Sequence, residues 1–262
     1  MLKHHEDSLQ IMKERYQGDS DVIALILGGS VAKGEARSDS DLDGMVIITD
    51  QAFEKRKLAG QLTDYIPGLC TYPGGYFDIK YFSKGYLEAA AERGSDPTRN
   101  SFVKSKVVFS SDSEIEKIIE RIQIYPKDKK HERIRLFRSI LYYANGYYYN
   151  VAARNNDAYM LNKCYVDIVY AGLRMLYVHN DMFFPCHSRL IKYTNHLPNK
   201  PDGIVALAKA VNEKRDIASK DTFVAAVLNF TNWDADTKYY DSFYVEKIEQ
   251  TWQFSEDNVY EL

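Results

Sequence analysis

Gly28-Gly29-Ser30 and, after a gap of ten residues, Asp41-Leu42-Asp43 are the residue types from which phosphate and metal chemistry is built. Glycines let a backbone approach a ligand closely, and a serine hydroxyl donates to a phosphate oxygen. Side chains two apart on a strand project to the same side. Asp41 and Asp43 therefore bring two carboxylates together, an unfavourable arrangement unless a cation lies between them. A donor set of oxygens alone favours Mg²⁺ or Mn²⁺. Together the two motifs point to chemistry on a nucleoside triphosphate.

Other residues extend the site. Asp78 stands alone in the apolar run Tyr76-Phe77-Asp78-Ile79-Lys80-Tyr81-Phe82, where a carboxylate needs a partner or a role. On a strand beside that of Asp43 it would complete a three-carboxylate cluster. Ser30 is a good N-cap, so a short helix is expected to start there, offering N–H groups to phosphate. Ser40 supplies a second hydroxyl, and Lys33 and Arg37 supply positive charge. Each signal alone has an ordinary explanation: Gly-Gly-Ser is a common strand-to-helix turn, aspartates are common in turns, and Asp78 can pair with Lys80. Order, spacing and flanking strands together carry the reading.

Val22–Leu27 and 43–48 read as buried strands, short and rich in β-branched residues. A first amphipathic helix carries Leu2, Leu9, Ile11, Met12 and Tyr16 and ends at Gly18. The pattern predicts a helix over Gln51–Tyr65 and turns at Pro67-Gly68 and Pro73-Gly74-Gly75. A strand follows over Tyr76–Phe82, with Phe77, Ile79 and Tyr81 on one face. Helices at about 84–93 and 97–104 precede a short strand, Val107–Phe109. A further helix buries Ile115, Ile118, Ile119 and Ile122. Beyond Pro126 the strand signals stop. Ile134, Phe137, Leu141, Ala144, Tyr148 and Val151 form one stripe at helical spacing, and Met160, Cys164, Ile168, Ala171, Met175 and Val178 another. These are read as two long antiparallel helices joined near Asn155-Asn156-Asp157. Three or four shorter helices run on to about Gln253. The expected organisation is an α/β unit over 1–125 and a helical unit over 126–262.

The chain has 262 residues, 45% of them hydrophobic, enough to bury a core and against global disorder. A net charge of −3 and the lack of a Lys/Arg block argue against a nucleic-acid partner. No run reaches the roughly 20 apolar residues of a membrane span, and residues 1–14 lack an apolar signal core. Cys70, Cys164 and Cys186 are an odd, dispersed set, expected to be buried free thiols in a reducing compartment. A cytoplasmic protein is expected.

Residues 29–43, Gly-Ser-Val-Ala-Lys-Gly-Glu-Ala-Arg-Ser-Asp-Ser-Asp-Leu-Asp, resemble the signature of the DNA polymerase β-like nucleotidyltransferase superfamily. Gly-Ser, a short helix and Ser-Asp-x-Asp follow at the family's spacing, and Asp78 falls where the family places its third carboxylate. Lys106–Ser113 resembles the strand and turn that close the catalytic unit in antibiotic nucleotidyltransferases. More loosely, the helical half resembles the substrate domain of aminoglycoside and lincosamide nucleotidyltransferases. Val31 and Lys33 stand where arginine is frequent, and Gly44 where an aliphatic residue is usual.

The resemblance implies an α+β fold: a small mixed sheet with flanking helices as catalytic domain, then an all-α bundle that binds substrate. It implies Mg²⁺-dependent transfer of a nucleoside monophosphate, AMP from ATP foremost, to a small-molecule hydroxyl, with antibiotic modification as one use. Asp41 and Asp43 would hold metal, two ions in all. Asp78 would complete the metal site or take the hydroxyl proton as general base. Gly28, Gly29, Ser30, Lys33 and Ser40 would contact nucleotide. The expected assembly is a monomer or homodimer.

Two other readings compete: AMP transfer to a protein, as in toxin–antitoxin pairs, and a non-catalytic nucleotide-binding protein. The attached helical half argues against the first and the carboxylate pair against the second. Tyr142 to Tyr149, with five tyrosines, is read as core or interface packing before ligand stacking. From Thr231 to Leu262 eight Asp/Glu face two Lys, read as a solvated acidic face before a wall for a cationic substrate. His131, His179, His187 and His196 have no metal-ligand spacing.

Overall fold

Val22–Leu27 (β1) is buried from Ala24 onward on both of its faces, which is why its sequence is a continuous apolar run rather than an alternating one. The computed structural model of the chain describes residues 1–233, 240–250 and 253. It divides into two compact units, Met1–Ile124 and Tyr125–Leu262.

In the first unit, the helix Lys3–Tyr16 (α1) precedes β1, and Gly29–Lys33 (α2) follows it. Then come Leu42–Ile48 (β2), Asp50–Leu58 (α3), Thr63–Pro67 (β3) and Tyr76–Ser83 (β4). Lys84–Arg93 (α4), Asp96–Phe102 (α5), Lys106–Ser110 (β5) and Glu114–Ile122 (α6) complete it. The five strands form one mixed sheet in the order β3-β4-β2-β1-β5, with only the β2–β4 pair parallel. Strand alternation sorts the side chains to two faces. Leu25, Leu42, Val46, Ile48, Phe77, Ile79 and Tyr81 pack with Met12 and Tyr16 of α1. Ala24, Ile26, Met45 and Ile47 pack with α4, α5 and α6, including the four isoleucines of α6. Asp43 shares the parity of Met45, so it belongs to this second face, at the start of its strand.

Two features of this unit differ from the sequence reading. The helix expected to Tyr65 stops at Leu58, and β3 follows as an edge strand against β4. Thr63-Asp64-Tyr65-Ile66-Pro67 alternates exposed and half-buried positions, and five residues are too few to show that period against the helix before it. Pro67 suits a strand edge, where no ladder donor is needed. The N-cap of α2 is Gly28, and Ser30 lies inside the first turn.

In the second unit, Lys130–Tyr143 (α7) runs into a π-helical turn, Ala144–Tyr148, and on into Tyr149–Asn155 (α8). Asn156, in the left-handed region at φ 52°, turns the chain into Ala158–His179 (α9). Leu190–Thr194 (α10), Ile204–Lys214 (α11), Ile217–Leu228 (α12) and Tyr240–Tyr244 (α13) follow. The stripe of α9 is buried from Cys164 to Val178 and forms the axis of this core. Gly172 lets α12 approach: a Cβ there would lie 2.8 Å from the Phe223 ring. The π-turn corrects the first stripe. Ile134, Phe137, Leu141 and Ala144 are buried as expected, but after the turn the core residues are Tyr149 and Ala152, not Tyr148 and Val151. A π-turn takes up one extra residue, so the buried face continues one position later.

All three cysteines are free; Cys164 is buried, whereas Cys70 and Cys186 are only half-buried. The acidic C-terminal stretch lies largely outside the described residues. No helix among those residues is long and apolar enough to cross a membrane.

Candidate active site

Asp43 and Asp78 are direct register partners across the parallel β2–β4 pair, so the sheet itself holds both carboxylates. Asp41 lies just before β2. One oxygen from each of Asp41, Asp43 and Asp78 falls within 4.8 Å of the other two, and all three residues are half-buried. Among the described residues no other group of His, Cys, Asp and Glu gathers in this way. Three carboxylates at this spacing repel one another without a cation. Oxygen donors alone match a hard divalent ion such as Mg²⁺ or Mn²⁺. The donor set therefore fits the metal that the sequence motif implies.

Gly29 is required by this packing. Its φ is +63°, and a Cβ built on it would lie 1.6 Å from Oδ2 of Asp43. The Gly28 N–H donates to the Asp43 backbone carbonyl at 2.9 Å, tying the β1–α2 turn to β2. The first N–H groups of α2, from Gly29 to Val31, have no acceptor in the helix's own ladder. The helix has only five residues and carries little macrodipole. What it brings beside Asp43 is backbone N–H. Gly44 serves packing instead: a Cβ there would meet Ile79 Cδ1 at 2.6 Å and Met12 Sδ at 3.0 Å. An aliphatic residue at that position would displace α1.

The remaining sequence candidates are placed as follows. Lys33 Nζ donates to Asn100 Oδ1 at 2.8 Å. Ser40 Oγ accepts the Arg37 N–H at 2.9 Å, closing its own turn. Arg37 pairs with Asp39 at 2.9 Å on the surface. Lys80 Nζ lies 3.9 Å from Asp78, at ion-pair range.

Aromatic residues outside the two motifs flank the carboxylates. The negative charge of Asp41, then partial burial, raises the pKa of the Tyr76 phenol. The rings of Tyr76 and Tyr65 lie 4.7 Å apart. Tyr65 is the register partner of Asp78 on β3. The tyrosine pair thus borders Asp78 on the side of the sheet away from β1 and α2. Tyr72 donates its hydroxyl to the Ser40 carbonyl at 2.5 Å, and burial first, then Cys70, raises its pKa. The signal in the sequence was the tyrosines around the Pro73-Gly74-Gly75 turn, but only the β3–β4 pairing reveals their position.

Residues 6–141 match the nucleotidyltransferase domain family, more than half of the chain. The chain belongs to this family. Among solved structures, the nucleotidyltransferase resembles a nucleotidyltransferase-like protein from Exiguobacterium sibiricum 255-15, with 9% identity and a TM-score of 0.48. That alignment covers 94% of this chain and 80% of the other. It also resembles spectinomycin adenyltransferase AAD(9) from Enterococcus faecialis with ATP and spectinomycin, at 12% identity and a TM-score of 0.31. Here 91% of this chain and 95% of the other are covered. No curated protein matches the nucleotidyltransferase in sequence.

The helical unit of the nucleotidyltransferase has a cavity of about 730 Å³, with Arg138, Tyr142, Asn145, Tyr147, Asn150 and Asp241 among its lining residues. The tyrosine run is therefore divided. Tyr142 and Tyr147 line this cavity, Tyr143 stacks on Tyr244 at 4.1 Å, and Tyr149 is in the core against Tyr165.

Proposed function

We propose that the chain transfers a nucleoside monophosphate, AMP from ATP foremost, to a hydroxyl of a small molecule. The carrying observation is the three-carboxylate cluster, built by the Asp43–Asp78 register with Asp41 beside it, in a chain of the nucleotidyltransferase family. Asp41, Asp43 and Asp78 would hold Mg²⁺. Bound there, the cation would neutralise triphosphate charge and stabilise the attacking and leaving oxygens.

The chain's own groups do the rest. Gly29 and Ser30 present backbone N–H and hydroxyl donors to the phosphates, from a turn that the Gly28 N–H ties to the Asp43 carbonyl. Ser40 sits at the turn that delivers Asp41, and Lys33, the last residue of α2, adds charge there. Asp78, on the side away from α2, takes the proton of the acceptor hydroxyl. The acceptor oxygen forms a bond to the α-phosphorus, the α–β P–O bond breaks and pyrophosphate leaves. Holding the two reactants in line supplies much of the acceleration. The acceptor approaches over Tyr65 and Tyr76. Aminoglycoside- and lincosamide-type antibiotics are the first class to test.

The test is incubation of pure protein with Mg²⁺, α-labelled nucleotides and a panel of such antibiotics, with Asp41→Asn as control. Label in a small molecule with equimolar pyrophosphate is the expected result. Label in protein instead would favour protein AMP transfer. Equal pyrophosphate release by wild type and Asp41→Asn would defeat the assignment.

A further inference from the structure

Asp43 and Asp78 are fixed by the ladder of a parallel strand pair, but Asp41 is not. It precedes β2, at the end of a largely exposed loop whose internal ties include the Ser40 N–H to the Arg37 carbonyl, the Ser40 hydroxyl turn and the surface Arg37–Asp39 pair. A carboxylate on a loose loop loses the preorganisation that metal binding needs.

Two side chains from distant parts of the sequence grip main-chain carbonyls of this loop. His4, on α1, donates Nε2–H to the Ser38 carbonyl at 3.0 Å. Since a carbonyl only accepts, this bond selects the tautomer with the proton on Nε2. Tyr72, between β3 and β4, donates to the Ser40 carbonyl, the peptide unit that leads directly into Asp41. The two donors also hold each other. Their rings lie 4.6 Å apart, and His5 packs against both. Thr71 Oγ1 and Ser8 Oγ both donate to the His4 carbonyl, at 3.0 and 2.8 Å. Thr71 N–H donates to Ser8 Oγ at 2.9 Å. Gly75 makes the arrangement possible, since a Cβ there would lie 2.5 Å from the Tyr72 ring.

We infer that His4 and Tyr72 are positioning residues: by gripping the carbonyls of Ser38 and Ser40 they set the place of Asp41 against Asp43 and Asp78, and thereby the affinity of the site for divalent metal. The inference rests on the reading of Asp41 as a metal ligand given above. Neither residue touches the metal or the reacting atoms. Their effect passes entirely through the loop.

The test is direct binding of Mn²⁺ to the full chain without nucleotide, from the electron paramagnetic resonance signal of free Mn²⁺, with a thermal melt of every variant. Tyr72→Phe is expected to raise the Mn²⁺ Kd about tenfold, the lower end for an outer-shell change. His4→Ala is expected to weaken binding less, and His4→Gln, whose amide still donates, to recover most of it. Asp41→Asn is expected to weaken binding at least as much as Tyr72→Phe. Adding Tyr72→Phe to Asp41→Asn should then change nothing further, because Tyr72 acts through Asp41. A wild-type affinity in Asp41→Asn would overturn the ligand reading itself. Weakened binding in Asp41→Asn with wild-type binding in Tyr72→Phe would overturn only the positioning role. So would a Tyr72→Phe effect of the same size on both backgrounds, the pattern of a general structural lesion.

Discussion

Asp43 and Asp78 occupy the same rung of the parallel β2–β4 pair, thirty-five positions apart in sequence and directly opposite in the sheet. Parallel neighbours in register project to the same face, so a rigid ladder brings two like charges together and Asp41 adds a third. Such an arrangement is stable only with a counter-charge, which makes metal the variable that ties stability to activity.

Asp43→Asn is therefore expected to lower nucleotidyl transfer at least about a thousandfold, as loss of several kcal/mol of metal-based transition-state stabilisation requires. It should also remove the stabilisation of the protein by Mg²⁺. For a Kd of roughly 1 mM, 10 mM Mg²⁺ adds about 1.4 kcal/mol to the wild type by mass action. Calorimetry in EDTA and in Mg²⁺ checks this; an equal rise in Tm for both proteins would remove Asp43 from the metal site.

Gly29→Ala tests the space beneath the Asp43 carboxylate. The left-handed φ alone costs about 1 kcal/mol for a residue with a Cβ, so a loss of about 1–2 kcal/mol is expected in urea unfolding. Activity should fall further, by about a hundredfold or more, because the added carbon occupies the place of Asp43 Oδ2. Gly44→Ala should show the opposite balance, since its added carbon presses on Met12 and Ile79 in the core. Wild-type turnover in Gly29→Ala would show that the carboxylate has freedom to move.

What was legible in the sequence follows from what is local. β1 and β2 were readable because burial on both faces writes long apolar runs, β4 because Phe77, Ile79 and Tyr81 alternate on one buried face, and Gly29, Asp43 and Asp78 because they lie in or beside those strands. β3 was not, because an edge strand of five residues is stabilised by its ladder with β4 rather than by its own pattern. His4, Tyr72 and Tyr76 were not either. They gain their significance from residues 32 to 35 positions away, and a hydrogen bond to a main-chain carbonyl leaves no mark on the identity of the residue it grips. The slip from Tyr148 to Tyr149 was hidden for another reason. A π-turn changes the phase of a stripe without changing its composition.

That slip gives a third expectation. Ala144 and Tyr149 are five apart where an unbroken helix would place successive core positions four apart. Deleting Gly146 should restore the α-helical phase, keep Tyr149 and Ala152 buried, and cost no more than about 2 kcal/mol, within the usual range for one altered position. Deleting Ala171 from α9, where the phase is already regular, turns Met175 and Val178 away from the core and should prevent folding. Circular dichroism and thermal melts of the two deletions separate the outcomes. Equal collapse of both would mean that the turn is held by something other than helical phase.

His5 sets a pH dependence. Its ring is fully buried, and neither nitrogen has a hydrogen-bond partner. Burial first, then the neighbouring His4 and the chain's amino terminus, lower its pKa below the ordinary 6.5. The folded state thus binds this proton less readily than the unfolded chain, and stability rises with pH where the unfolded chain is protonated and the folded one is not. The contribution of a neutral His5 is complete above about pH 6.5 and is lost progressively as pH falls below that value, until the lowered folded pKa is reached. His5→Leu keeps an apolar side chain in the same place and removes the titration. Urea unfolding of wild type and His5→Leu between pH 7.5 and 5 should show a steeper acid loss for the wild type. Parallel curves would mean that His5 gains its proton within the fold as easily as outside it.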